Sequence, residues 1–142
     1  MILLDTGPVV ALCDPRDSRH RTAVTHLAHL VSEGLCVCDA VLVEACFHLP
    51  RRIERSRLGA VLGELRVDSL PTHETDFRAD VLAWLLKYAD QDPDWADACL
   101  AVLCGRDARL KVWTYDREFR TTWRTPDGKA IPLAVAPRAA AQ

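Results

Sequence analysis

Short apolar runs alternate along this chain with longer stretches of helical periodicity, and that alternation constrains the fold more than any other feature. The runs Ile2–Leu4, Leu35–Cys38, Arg66–Leu70, Leu110–Trp113 and Ile131–Val135 have the length of strands. Between them, helical spacing extends over Pro8–Cys13, Arg19–Ser32, Ala40–Leu49, Arg51–Leu65, Glu74–Ala89 and Trp95–Arg106. Strands separated by helices pair in parallel, because a parallel partner is reached only through a long crossover. The expected class is therefore α/β, a parallel sheet with enough helices to cover both faces.

With 142 residues, 49% of them hydrophobic, the chain is of a size to bury one core, so a single domain is expected. The segment 1–136 reads as that domain. The alanine-rich tail 137–142 reads as a flexible end. The formal charge of -2 supplies no general attraction to nucleic acid, so any such binding must rest on a local patch. Ile2-Leu3-Leu4 is too short for a signal peptide or a membrane span, which makes the cytoplasm the expected compartment, with no membrane partner. Six cysteines sit mostly within apolar runs, and Cys36-Val-Cys38 lacks zinc-motif spacing, so they read as small buried hydrophobes.

In open parallel sheets, ligands bind beyond the carboxyl ends of the strands. There this chain is acidic. Asp5 ends the first apolar run and Asp116 follows the fourth, so both belong to the same sheet edge. Glu44 is the one charge between Ala40 and Phe47, and Asp97 the one charge between Trp95 and Gly105. An unpaired carboxylate in an apolar helix costs several kcal/mol or takes up a proton, so it calls for a basic partner or a cation. Arginine pairing accounts for one such acid more readily than for all four. If the four converge, their repulsion is offset by a hard divalent cation, and oxygen-only ligation selects magnesium, with manganese able to substitute, over zinc. A magnesium ion that keeps open positions for water and phosphate oxygens suits phosphodiester hydrolysis and requires no side-chain nucleophile. The chain carries no Gly-x-Ser-x-Gly elbow, Gly-rich phosphate loop or His-Glu-x-x-His helix.

Several neighbours have two readings. Asp94-Trp-Ala-Asp97 is a helix start with Asp94 at the N-cap and Asp97 at the third helical position, so Asp94 serves either as cap or as a ligand to the metal or its water. Asp39 reads as the N-cap of the helix bearing Glu44. Thr6 and Thr114 are placed to donate hydroxyl hydrogen bonds to a carboxylate or a metal-bound water, or simply to bond their own backbone. The five histidines read as surface or core residues remote from the acids.

Taken in order, Met-Ile-Leu-Leu-Asp5-Thr6-Gly, Leu-Val-Glu44-Ala, Asp94-Trp-Ala-Asp97-Ala-Cys-Leu and Thr114-Tyr-Asp116-Arg-Glu-Phe resemble the PIN-domain ribonucleases, in particular the VapC-like toxins of type II toxin–antitoxin pairs. The resemblance runs from Met1 to about Val135. It implies a PIN-like three-layer sandwich with a five-stranded parallel sheet, a catalytic and metal-binding quartet at Asp5, Glu44, Asp97 and Asp116, and metal-dependent endonucleolytic cleavage of RNA. It also implies a cognate antitoxin and, commonly, a homodimer, for which the Ala40–Leu65 helices offer apolar residues. Asp39-Ala40 departs from the Ser/Thr-Pro that often begins the corresponding helix.

If RNA is the substrate, Arg117, Arg120 and Arg124 beyond Asp116, and Arg51, Arg52, Arg55 and Arg57, are candidates for phosphate contact, against the ordinary reading of a solvated helix face. Trp95, Trp113, Tyr115 and Trp123 read as core, with base stacking the alternative. A receiver-like domain would carry paired acids after its first strand, and a haloacid-dehalogenase phosphatase Asp-x-Asp-x-Thr; Asp5-Thr-Gly-Pro-Val supplies neither. A PIN nuclease of RNA processing without an antitoxin, and a non-catalytic binding module on this fold, remain as alternatives.

Overall fold

Ile2, Leu3 and Leu4 form the first strand (β1, Ile2–Leu4), and all three are buried although successive side chains of a strand point to opposite faces. Both faces of the sheet are therefore covered, which makes the molecule three-layered. The computed structural model describes residues 1–135. The tail expected at 137–142, and residue 136 at the expected domain end, lie outside the described residues.

The chain continues through α1 (Thr6–Cys13), α2 (His20–Leu30), β2 (Leu35–Val37), α3 (Asp39–His48), α4 (Arg52–Glu64), β3 (Asp68–Ser69), α5 (Thr75–Lys87), α6 (Trp95–Arg106), β4 (Lys111–Trp113) and the short α7 (Glu118–Thr121). The sheet is parallel throughout, in the order β3-β2-β1-β4. Helix α1 packs on α2, α3 and α4, and α6 packs on α3, α5 and β4. Helix α6 is buried from Ala98 through Cys104, the burial expected of a helix apolar all round. All six cysteines are free; five are buried and Cys46 is half-buried, in keeping with their reading as small hydrophobes. Among the described residues no helix is long and apolar enough to cross a membrane.

Two expectations require correction. Among the described residues four strands form rather than five: Ile131–Val135 contributes only a parallel bridge, Leu133 to Val112, held by the Val112 N–H on the Pro132 carbonyl and the Ala134 N–H on the Val112 carbonyl, each at 2.8 Å. Pro132 has no N–H to give, so the ladder does not extend from this bridge toward Leu110. Asp39 is the first residue of α3 rather than its cap. Cys38 takes the cap position, and no side chain there accepts a hydrogen bond.

The strand order also fixes where a ligand can sit. β1 leads to β2 on one side and pairs with β4 on the other, so the crevice at their carboxyl ends is the switch point of the sheet. Leu4 aligns with Trp113, and the Asp5 N–H donates to the Trp113 carbonyl at 3.0 Å, which sets Asp5 beside Thr114.

Candidate functional site

Asp5 leaves β1 and caps α1: its backbone is extended and its Oδ1 accepts the Thr6 N–H at 2.8 Å. Its other oxygen, Oδ2, accepts the Thr114 hydroxyl at 2.6 Å. The oxygen of that hydroxyl in turn accepts the Asp116 N–H at 3.0 Å, while Asp116 Oδ1 accepts the Glu118 N–H at 2.9 Å. One buried threonine thus ties the acid after the first strand to the acid after the fourth. Thr6 does the same between α1 and α3, its hydroxyl donating to Glu44 Oε2 at 3.0 Å. Both threonines act on carboxylates as the sequence suggested.

On α6 the expected helix start is present with reciprocal bonds. Asp94 Oδ1 accepts the Asp97 N–H at 2.7 Å, and Asp97 Oδ2 accepts the Asp94 N–H at 3.1 Å. The cap holds the Asp97 carboxylate at a fixed place in the first turn.

These elements enclose a cavity of about 330 Å³ lined by Asp5, Glu44, Asp94, Asp97, Asp116 and Asp17. All four acids of the expected quartet face one space. Their electrostatics reflect it. Burial first, opposed by the Thr114 and Thr6 hydrogen bonds and reinforced by Glu44 and Asp116, pushes the Asp5 carboxyl up to about 6. Asp97 is pushed up to about 8 by burial and then by Asp94, with Asp5 and Asp116 adding to it. Glu44 is raised by burial and by Asp94 and Asp116.

Glu54 shows what a structural acid looks like in the same chain. Although only 1% exposed, it lies 3.2 Å from Arg51 Nε and 3.4 Å from Arg16 Nη2 and accepts the Arg51 N–H at 2.9 Å, bonds that hold its carboxyl below the usual range. The quartet has no such arginine partner among the described residues.

The donor set is all oxygen and its charge is uncompensated, which fits a hard divalent cation. Among the described residues no three His, Cys, Asp or Glu side chains close into a tight ligand cage. Magnesium does not demand one, since it commonly takes one or two carboxylates and keeps water in its remaining positions.

The arginines singled out in the sequence lie outside the cavity lining. Arg51 is engaged by Glu54, and the Arg55 guanidinium donates to the Leu49 and Cys46 carbonyls, closing the end of α3. Arg52 is exposed, Arg57 half-buried, and Arg117 and Arg120 are exposed beyond Asp116; Arg124 Nη1 donates to the Trp123 and Arg120 carbonyls. The basic groups that do line the cavity are Arg19 and His48, neither of which sequence reasoning placed there. His48 stands one turn after Glu44 on the same helix face, a spacing that was available to find it. Trp113 and Trp123 are core as expected, whereas Tyr115 lines the cavity and Trp95 is 42% exposed. Trp95 borders an apolar groove of about 540 Å³ with Val43 and Phe47, which shares Glu44 and Asp94 with the acidic cavity.

No curated protein matches the sequence at a significant level. Among solved structures the chain is similar to Mycobacterium tuberculosis VapC20, a Sarcin-Ricin loop cleaving toxin, with a TM-score of 0.72 and 20% identity over 89% of this chain and 98% of that one. The likeness is one of fold. The profile of the PIN domain matches residues 2–123, and with that match spanning most of the chain and every acid of the cavity, the protein belongs to the PIN domain family.

Proposed function

We propose that this protein is a magnesium-dependent endoribonuclease, the toxin of a toxin–antitoxin pair, acting in the cytoplasm. The observation that carries the reading is that Asp5, Glu44, Asp97 and Asp116 line one cavity and that, among the described residues, none of them is within ion-pair distance of a basic side chain. Those four side chains would hold the cation, with Asp94 as an outer contributor and manganese able to replace magnesium. When bound, the ion supplies an acidified water as nucleophile and neutralises charge on the phosphoryl oxygens.

The chain's own residues perform the positioning. Thr114 locks Asp5 and, through the Asp116 N–H, sets the second strand-end acid in register with it. Thr6 fixes Glu44 across two helices, and the reciprocal cap presents Asp97 from α6. Four acids from four separate elements thereby line one cavity, an arrangement that would suit the preorganisation phosphodiester hydrolysis rewards.

The antitoxin reading draws on the groove of Val43, Phe47 and Trp95, an exposed apolar surface running into an acidic cavity. Such a surface suits a partner with apolar anchors and a basic side chain beside them. That groove favours a toxin with a partner over a stand-alone RNA-processing nuclease. A second copy of the chain on the α3–α4 side is the dimer expected from the sequence.

The test is cleavage of a mixed pool of structured and single-stranded RNA by the free protein, with magnesium or manganese against chelator, beside Asp97→Asn. Metal-dependent cuts absent from the variant support the reading. A folded wild type that neither cleaves nor takes up metal in a titration makes the acids structural, and a protein-binding module takes its place.

A further inference from the structure

Six carboxylates line the cavity and repel the very backbone a ribonuclease must admit. A cation among the acids offsets the charge of one phosphate, but an RNA strand brings the neighbouring phosphates with it. Something on the rim must receive them. Arg19 is the one arginine or lysine in the lining.

Its placement is unusual. An exposed arginine amid acids is expected to fold down onto one of them, yet among the described residues the Arg19 guanidinium lies within ion-pair distance of no carboxylate. It sits instead over the Tyr115 ring, its guanidinium carbon 5.3 Å from the ring centroid. That ring is fixed from below: the Tyr115 hydroxyl and His26 Nδ1 share a hydrogen bond of 2.9 Å, and Trp113 meets the ring edge-on at 6.4 Å between centroids. An arginine resting on an aromatic face keeps its N–H donors free at its edge, the geometry that grips a phosphate in two places.

We propose that Arg19 binds the RNA phosphate next to the one that is cut, with Tyr115 as the platform that holds the guanidinium off the acids. The inference rests on the nuclease reading above. It makes Arg19 a substrate-binding residue and Tyr115 a positioning residue, and it gives the RNA a direction of approach, across the α2 side of the cavity. The groove of Phe47 and Trp95 lies on the α3 and α6 side and stays open to a partner.

The experiment measures binding of a short single-stranded RNA of mixed sequence by fluorescence anisotropy, in magnesium, from 50 to 200 mM KCl, with cleavage silenced by Asp97→Asn in every protein. Loss of one phosphate contact on a single strand lowers the slope of log K against log salt by about 0.7. Arg19→Ala is expected to show that drop together with roughly tenfold weaker binding at 100 mM salt. Arg19→Lys is expected to keep the slope with intermediate affinity, and Tyr115→Leu to weaken binding while Tyr115→Phe retains most of it. Because Arg19 is exposed, its variants should melt with the parent. An unchanged slope in Arg19→Ala overturns the proposal even if affinity falls, since the side chain then stacks on a base instead of pairing with phosphate. A parent that binds RNA while Arg19→Ala keeps its slope leaves the nuclease reading standing, whereas failure of both the parent and the wild type to bind RNA overturns both.

Discussion

Two buried or half-buried kinds of acid in this chain separate by their partners. Glu54 has Arg51 and Arg16; Asp5 and Asp97 have only hydroxyls, backbone N–H groups and each other. Removing Glu54 should therefore lower the melting temperature while the folded fraction keeps its cleavage rate, which a per-active-site titration would reveal. Thr114→Val makes the opposite prediction. It deletes the donor to Asp5 Oδ2 and the acceptor of the Asp116 N–H without changing side-chain volume much, so cleavage should fall roughly 10–100-fold, the usual effect of losing a residue that orients metal ligands, with metal affinity falling in parallel in a calorimetric titration.

At the level of elements, α6 carries the site on its first turn and a tight contact at its last. The Asp94–Asp97 cap implies that Asp94→Ala costs about 1 kcal/mol in denaturant unfolding, whereas Asp94→Asn, an equally good cap without the charge, leaves stability unchanged. Loss of cleavage in the asparagine variant would then report on Asp94 as a ligand, free of its structural role. At the far end, a Cβ on Gly105 would stand 2.9 Å from Pro126 Cδ, so Gly105→Ala is expected to destabilise by about 1–3 kcal/mol despite its better helix propensity. Helix α6 and the turn after α7 must meet here without a side chain between them.

The molecule as a whole gathers negative charge at one edge, and its stability should depend on pH accordingly. Asp5 and Asp97 have folded-state values of about 6 and about 8 against 3.8 for the free side chain, so between roughly pH 4 and pH 8 the folded protein holds protons the unfolded chain has released. Stability in chelator is therefore highest at the acid end of this window and falls as pH rises through it, with Asp5 alone accounting for roughly 3 kcal/mol. Magnesium should restore what is lost at pH 8, and Asp97→Asn should flatten the dependence; melting curves at pH 5 and pH 8 with and without metal test both. On the other flank, Phe47 is 80% exposed, so Phe47→Ser should leave folding and cleavage unchanged and weaken capture by the partner.

How much of this was legible beforehand follows from the range of each interaction. The six expected helices are readable to within a few residues, and α6 to its ends, because periodicity and capping are local, while the four-residue α7 is too short to show a period. Glu44 and Asp97 stand out because a lone charge in an apolar helix is a local anomaly, Asp5 and Asp116 because each follows a strand-like run, and the order of the four matches a known pattern. The fifth strand failed as a strand because Pro132 removes a ladder donor at an edge, a matter of which side of the segment faces β4. Arg19 is not readable as a cavity group since its partner comes from a distant part of the chain, Tyr115 lying 96 residues beyond it, whereas His48 follows Glu44 by one turn of the same helix and its place follows from that spacing. The parallel α/β class and the four acids could be read from the chain alone, since the alternation of apolar runs with helical stretches and the isolated charges are both patterns along it. That Arg19 joins those acids, and that Thr6 and Thr114 hold Glu44 and Asp5, follows from tertiary structure, because sheet order and crossover packing bring together side chains that no spacing along the chain relates.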